Sequence, residues 1–256
     1  MENKTWIIII VLLPIMLFLS YGFFVAPEIF NEGGSINGVY SEYIEEPSRD
    51  YLGLGDDEIE KYVRNYIWDL YIILFAVLLI LLTDVSFSDF GFDLSEIKKD
   101  AIIGILFFLV DLVLLGLVIY VTTSYIPEQV LDYHLSISDI TGYAASGELT
   151  PSGLNIQFLL LNFFLYFFFV GPAEEVFRLF LLIKLEKVSN LFVAVVLSAF
   201  LFGIMHMFGS VFQSLNAFIG GLAYNLLWLF RGRKILAPII AHGFYDFMIT
   251  LLPFFK

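Results

Sequence analysis

The sequence contains no cysteine and few charged side chains. Without cysteine among its 256 residues, the chain can form neither disulfides nor thiolate metal sites. Charged residues make up 15% of the chain, whereas soluble domains average about 25%. Hydrophobic residues make up 59% of it, against an average of about 45–50%. A water-soluble fold of this size could not bury that apolar excess, because it must also cover its surface with polar groups. The composition therefore predicts a membrane protein.

Basic residues are scarcer than acidic ones. The chain has 13 Lys and Arg against 26 Asp and Glu, a formal net charge of −13. Binding to phosphate backbones needs clustered lysine and arginine side chains. We therefore expect the lipid bilayer as a partner and no nucleic acid.

Several apolar stretches approach the length of about 20 residues that crosses a bilayer. They predict an all-α fold, a polytopic transmembrane helical bundle of about seven spans, with a range of about six to eight. The first is interpreted as a retained anchor, because its apolar run exceeds the roughly 7–15 residues of a signal peptide. The predicted crossings are Trp6–Ala26, Ile67–Leu82, Ala101–Tyr125, Leu154–Leu185, Leu191–Phe208, Val211–Phe230 and Ile235–Phe254.

The connections between the crossings predict an orientation. Short loops rich in Lys and Arg face the cytoplasm, and with seven crossings the basic loops and the N-terminus fall on one side. The acidic connections Pro27–Arg64 and Pro127–Gly153 fall on the other side. We expect a multi-pass protein of the cell membrane, with N-terminal membrane helices in 1–150 and a second group of membrane helices in 151–256. The basic loop residues are Lys98, Lys99, Lys184, Lys187, Arg231, Arg233 and Lys234.

The fourth predicted crossing carries two adjacent carboxylates, Glu174 and Glu175, and a guanidinium, Arg178. A charge inside a bilayer is costly and is functional by default. Glu174 and Arg178 are four residues apart and are predicted to pair, while Glu175 points about 100° away. Pro172, preceded by Gly171, predicts a kink. The alternative, a structural ion pair, explains Arg178 and one glutamate but not the second carboxylate.

Two of the three histidines also lie in predicted membrane helices. His206 follows Phe202 by four residues in the fifth crossing, and on its own such a histidine is more often a packing residue. His242 and Asp246 share a helical face in the seventh crossing, which suits a bound metal ion or a histidine oriented by a carboxylate. Together with the glutamates, these groups could activate water directly or through a metal.

Other polar residues in the crossings have several interpretations. Asp111 could face the cavity, pair with Arg178 or line a water path. Asn216 and Asn225 are predicted to hydrogen-bond between helices. Tyr245 could donate to an oxyanion, although a packing role is the simpler interpretation.

The ordered trio of motifs resembles the CPBP family, the CAAX-protease and bacteriocin-processing (Abi) intramembrane metalloproteases, which include the type II CAAX prenyl endopeptidases. The resemblance covers about Phe168–Asp246 and implies that 151–256 is a CPBP-like catalytic core. It implies that Glu174 is the base, His206 its partner and His242 with Asp246 a supporting pair. Glu175 would be the second acidic residue of the first motif, with supporting residues Arg178 and Phe202.

The resemblance leaves the metal and the first motif open. A divalent metal such as zinc would be bound by His206, His242, Glu174 and Asp246; in the alternative, these side chains hold the water directly. The family motif is E-E-x-x-x-R, whereas this chain has Glu174-Glu175-x-x-Arg178, one residue shorter. Either the catalytic glutamate is shifted, or the motif tolerates the change, or proteolysis has been lost.

Three functions compete. The leading expectation is an intramembrane endopeptidase acting on a lipidated peptide or a membrane protein. The second is an inactive CPBP-like membrane scaffold, or an immunity or partner-binding protein, which the shortened motif favours. The third is a proton-coupled carrier, which predicts inverted repeats that the sequence does not show.

Overall fold

A computed structural model describes residues 67, 70–78, 80–81, 85–125, 156–206 and 211–251. In this part of the chain all regular structure is helical, in agreement with the predicted all-α class. The predicted crossing Trp6–Ala26 and the acidic connections Pro27–Arg64 and Pro127–Gly153 lie outside the described residues. The cytoplasmic position of the N-terminus stays a prediction for the same reason.

The helices follow the predicted crossings closely. Residues 70–78 are helical, within the predicted second crossing. Two short 3-10 helices, Phe87–Phe90 and Leu94–Glu96, come next. The longer helices are α1 (Ile97–Tyr125), α2 (Ile156–Leu165), α3 (Gly171–Glu186), α4 (Leu191–Met205), α5 (Val211–Phe230) and α6 (Leu236–Leu251), and a π-helical turn, Tyr166–Val170, joins α2 to α3.

The strongest membrane-spanning candidate includes α1. The helical stretch Phe87–Val121 is long and apolar enough to cross a bilayer, and few of its residues are buried inside the protein. It is the one stretch in the described part of the chain that meets this test. At least one membrane-length helix is therefore present, while the count of seven crossings stays a prediction.

Two helices include lysines that were predicted to lie in basic loops. The Asp93 side chain accepts a hydrogen bond from the backbone N–H of Ser95 and starts a helical turn that leads into α1. Consequently Lys98 and Lys99 lie in α1. Lys184 likewise lies in α3, where it is buried instead of exposed in a loop.

The predicted distortion near Pro172 is present as a π-helical turn. Proline has no N–H to donate and its ring crowds the carbonyl four residues earlier. A wider turn relieves this crowding. The N–H of Gly171 donates to the carbonyl of Tyr166, five residues back. The helix therefore continues through Pro172 into the segment that carries Glu174.

Helix α3 is the centre of the bundle. Every residue from Ala173 to Leu185 is buried. The helix packs against α4 and α6, while α5 packs on α4 and α1 packs on α6. The charged residues of α3 therefore face other helices, as the cost of exposing them to lipid requires.

Glycines permit the closest helix contacts. A Cβ atom on Gly243 of α6 would lie 3.0 Å from the Tyr166 carbonyl oxygen and 3.2 Å from the Phe167 Cα. One on Gly203 of α4 would lie 2.8 Å from the Ser214 carbonyl oxygen in α5. Gly243 adjoins His242, and Gly203 lies three residues before His206. These contacts therefore fix the positions of both histidines.

A polar cluster ties the turn between α5 and α6 to the start of α1. Arg231 donates to Asp100 at 2.6 Å and to Glu96 at 2.7 Å. The Lys234 ammonium donates to Asp93 at 2.8 Å. Hydrogen bonds to Asp93 and Glu96 raise the pKa of Lys234 above its ordinary value, so Lys234 stays charged throughout the neutral range.

We expect Arg231→Gln to destabilise the protein more than Arg233→Gln. The first change leaves the fully buried Asp100 side chain without its cation, which costs about 3–5 kcal/mol. Arg233 pairs with Glu186 where both are partly exposed, and such pairs contribute about 0–1 kcal/mol. Thermal unfolding in detergent micelles measures both; equal melting temperatures would contradict this ranking.

Gly243→Ala should lower the melting temperature, whereas Gly116→Ala should maintain or raise it. The new methyl group at Gly243 meets backbone atoms at 3.0–3.3 Å, and overpacking typically costs about 1–3 kcal/mol. A Cβ on Gly116 meets nothing within 4 Å, and alanine is favoured over glycine in a helix by about 0.5–1 kcal/mol. A stable Gly243→Ala variant would contradict the close approach of α6 to the π-helical turn.

Candidate active site

The three predicted motifs meet at one place in the bundle. Glu174 and Glu175 lie in the first turns of α3. His206 is the residue at which α4 ends. His242 and Asp246 lie one turn apart in α6. The five residues therefore come from three helices, and the contacts described next link them into one cluster.

Glu174 lies between the two histidines. Its Oε1 atom is 3.6 Å from the Nε2 atom of His206, and its Oε2 atom is 3.3 Å from the Nε2 atom of His242. The glutamate is buried, whereas about a quarter of the His206 side chain, 23%, is exposed. The cluster is therefore more accessible on the side of His206 than at Glu174 itself.

The predicted pairing of Glu174 with Arg178 is wrong: Arg178 pairs with Glu175, three residues earlier. Both spacings bring side chains together on a helix, so interactions with other helices decide between them. Glu174 is turned toward the imidazoles of α4 and α6, and Arg178 also donates to the side chain of Asn225 in α5. The buried guanidinium thus joins α3 to α5.

Asn225 completes the binding site of Arg178. Its amide oxygen accepts from Arg178, and its amide nitrogen donates to the Ser198 hydroxyl at 2.9 Å and to the Val195 carbonyl at 3.0 Å. These bonds confirm the prediction that Asn225 connects helices. Asn216 does so too, donating to the Tyr245 hydroxyl at 3.1 Å.

Both ring nitrogens of His242 face carboxylates. Nδ1 is 3.0 Å from Glu175 Oε1, while Nε2 is 3.3 Å from Glu174 and 3.4 Å from Asp246. A neutral imidazole carries one N–H and can satisfy only one of these sides. A further proton must therefore be held by His242 or by one of the carboxylates at Nε2. The predicted proximity of His242 and Asp246 is confirmed.

His206 has a defined tautomer. Its Nδ1 atom lies 2.9 Å from the carbonyl oxygen of Phe202. Because a carbonyl only accepts, Nδ1 must carry the proton, which leaves Nε2 as an acceptor on the side of Glu174 when the ring is neutral. The Phe202 ring also contacts the imidazole edge to face, with centroids 4.7 Å apart. Phe202 thus orients His206 through its backbone and its ring.

Tyr224 is a site neighbour that the sequence analysis did not single out. Its ring stacks on His242 with centroids 5.0 Å apart and an interplanar angle of 24°. Its hydroxyl donates to Asp111 at 3.2 Å, so Asp111 approaches the site through Tyr224. A tyrosine directly before the buried Asn225 was the available signal, but many aromatic residues in apolar helices have only packing roles.

Binding of a metal ion by His206, His242, Glu174 and Asp246 stays a prediction. In the described part of the chain, no group of three or more histidine and acidic side chains is arranged to hold a metal ion. The nitrogen-to-oxygen separations among the four side chains are 3.3–3.6 Å, longer than a direct hydrogen bond of about 2.7–3.2 Å. The chemistry proposed below is therefore derived from the side chains alone.

The comparisons with known proteins bear on the same segment. Residues 156–248 match the family model described as "Type II CAAX prenyl endopeptidase Rce1-like". Searches among curated proteins and among solved structures gave no match. The matched residues run from α2 into α6 and include all five residues of the cluster. Residues 156–248 of this chain are thus similar to the CAAX protease (CPBP) family of membrane-embedded proteases, which supports the resemblance seen in the sequence.

Proposed function

We propose that this protein is an intramembrane endopeptidase that uses the Glu174 carboxylate to activate a water molecule. The proposal rests on one observation: Glu174 lies between the imidazoles of His206 and His242, which come from two other helices. Similarity of residues 156–248 to a protease family makes peptide hydrolysis the first reaction to consider. The residue roles that follow are part of the proposal.

Glu174 suits the role of base better than Glu175. Each carboxylate oxygen of Glu175 is already engaged, one by Arg178 and the other by His242. The 3.6 Å between Glu174 and His206 exceeds a direct hydrogen bond of about 2.7–3.2 Å. A water molecule that bridges this pair would reach the base from the exposed side of His206.

The reaction needs one proton to be moved twice. Glu174 accepts a proton from the water while the water oxygen bonds to the peptide carbonyl carbon. A tetrahedral oxyanion forms. The C–N bond then breaks, and the leaving nitrogen takes the proton from Glu174. His206 Nε2 orients the water by accepting its second hydrogen. When Glu174 acts as the base, the further proton is held by His242 or Asp246 and is available to stabilise the oxyanion.

The substrate would be a membrane-associated or lipidated peptide. A peptide can enter the bilayer region in extended form only where protein or water satisfies its backbone. The polar cluster provides such a place, and the helical segment that leads to it exposes phenylalanines to the surroundings. A prenyl chain could lie against this apolar surface, which contains Phe163, Phe164, Phe168 and Phe169. We further propose that the protein is multi-pass and receives substrate from the cytoplasmic leaflet.

The alternative is an inactive scaffold, or an immunity or partner-binding protein. The shortened first motif favours it, because the arginine is displaced by about 100° on the helix when the glutamate pair is kept in register. The contacts of Arg178 weaken this argument, since it still pairs with Glu175 and reaches Asn225. The displacement therefore leaves Glu174 free to face the histidines.

Glu174→Gln should abolish most activity without unfolding the protein. Loss of a general base typically lowers kcat by about 10²–10⁴-fold. The melting temperature should stay the same or rise, because one of several neighbouring carboxylates loses its charge. The assay uses purified protein in nanodiscs and a fluorogenic peptide with a prenylated cysteine near its C-terminus. An unprenylated twin of the peptide tests whether the lipid is required.

Two substitutions in the same helix serve as comparisons. Glu175→Gln should lower both kcat and the melting temperature, because it removes the charge that Arg178 and His242 face inside the bundle. Glu186→Gln is the matched control, since Glu186 pairs with Arg233 at a partly exposed position, and it should leave kcat unchanged. Full activity of Glu174→Gln would exclude Glu174 as the base. Wild-type inactivity on both peptides would favour the scaffold.

Chelators should leave the activity intact if the side chains activate water directly. Purified protein is incubated with EDTA or 1,10-phenanthroline, and the rate is compared with that of untreated protein. Bound zinc is measured in parallel by elemental analysis. A loss of activity that added zinc restores would overturn the metal-free mechanism and return His206, His242, Glu174 and Asp246 to the role of ligands.

A further inference from the structure

A buried carboxylate from outside the matched family segment is linked to the site. Asp111 lies in the middle of α1 and is 4% exposed. Its Oδ2 atom accepts a hydrogen bond from the Tyr224 hydroxyl at 3.2 Å. A carboxylate is costly to bury in an apolar helix. An interaction between α1 and α5 alone could have been made by apolar side chains.

Tyr224 connects Asp111 to His242. The phenol ring covers one face of the imidazole, with centroids 5.0 Å apart and an interplanar angle of 24°. Phe202 approaches the same imidazole edge to face, at 6.2 Å and 87°. The contacts at Nδ1 and Nε2 hold the imidazole within its plane but leave its tilt undetermined. The stacked phenol fixes this tilt.

We propose that Asp111 and Tyr224 form a positioning pair that holds the His242 imidazole in line with Glu174. Asp111 sets the orientation of the phenol through its hydroxyl, and the phenol sets the tilt of the imidazole. Neither residue touches the reacting atoms. The pair makes helix α1, which lies outside the matched segment 156–248, a functional part of the site.

The phenol has two further contacts consistent with this role. The Arg178 guanidinium lies 6.0 Å from the centroid of the Tyr224 ring, and Phe107 of α1 packs against the ring at 6.0 Å. Tyr224 is therefore confined by α1 and α3 as well as by Asp111. A tilt of the phenol would alter both the imidazole and the Arg178 site.

The kinetic test depends on the proposed peptidase activity. Tyr224→Leu removes the stack, and Asp111→Leu removes the acceptor that orients the phenol. Each should lower kcat by about 10–100-fold, because a misplacement of about 1 Å in a catalytic geometry can cost about 10²-fold, with KM changed less than twofold. Asp111→Asn keeps an acceptor oxygen and should restore most of kcat relative to Asp111→Leu.

Trp228→Phe provides the matched control. Trp228 lies four residues after Tyr224 in α5, is fully buried, and donates from its indole to the Phe90 carbonyl at 3.1 Å. Its replacement also removes a buried aromatic hydrogen bond between segments, but away from His242. The melting temperature should fall as in Tyr224→Leu, yet kcat should stay at the wild-type value. An equal loss of kcat in the control would reduce the pair to a packing role.

A second measurement does not require activity. With three histidines in the chain, the His242 imidazole resonances can be assigned by single substitutions. Stacking on Tyr224 should shift the imidazole ring protons of His242 upfield. Tyr224→Leu should remove this shift, while the resonances of His206 change little. Tyr224→Phe and Asp111→Leu should reduce it partly, because the ring remains but is no longer oriented.

The two measurements separate the possible failures. If no peptide is cleaved but the ring-current shifts follow this pattern, the positioning pair stands and the peptidase proposal fails. If kcat falls while the His242 resonances stay unchanged in Tyr224→Leu and Asp111→Leu, the positioning pair is refuted. Unchanged kcat in both leucine variants of an active enzyme refutes it as well.

Discussion

Charged side chains within an apolar helical bundle must be compensated there, because neither lipid nor packed hydrocarbon can solvate them. Helix α3 brings two carboxylates and a guanidinium into its buried surface. Arg178 compensates Glu175, so the compensation of Glu174 must come from other helices. The imidazoles of α4 and α6 provide it. The requirement to satisfy one carboxylate therefore gathers three helices around the same point, and that point is the candidate catalytic centre.

Compensation at these distances requires backbones that approach closely. Gly243 lets α6 pass within contact distance of the π-helical turn, and Gly203 lets α4 pass close to α5. Hydrogen bonds have donor–acceptor distances of about 3 Å and weaken when they are stretched. A bulkier residue at either place would push the helices apart and break these bonds. Electrostatics thus explains why the polar residues face each other, and the small residues explain why they can touch.

Much of this arrangement could be predicted because its signals are local. A mostly apolar stretch predicted α5 with the bounds Val211–Phe230, and the four-residue spacing of His242 and Asp246 placed them on one face. The partner of Arg178 could not be predicted in this way. Spacings of three and four residues are both compatible with pairing on a helix. The choice depended on Asn225, which is 47 residues away in sequence.

The limits of sequence reasoning are clearest where function depends on distant contacts. Asp111 and Tyr224 are separated by 113 residues, and no periodicity links them. A buried carboxylate in α1 could be recognised as unusual, but its partner is set by the way α1 packs against the core. A family motif confined to 156–248 carries no information on that packing. If α1 orients His242 through Tyr224, the active site extends beyond the segment that carries the family resemblance, and α1 contributes to catalysis as well as to the membrane-embedded fold.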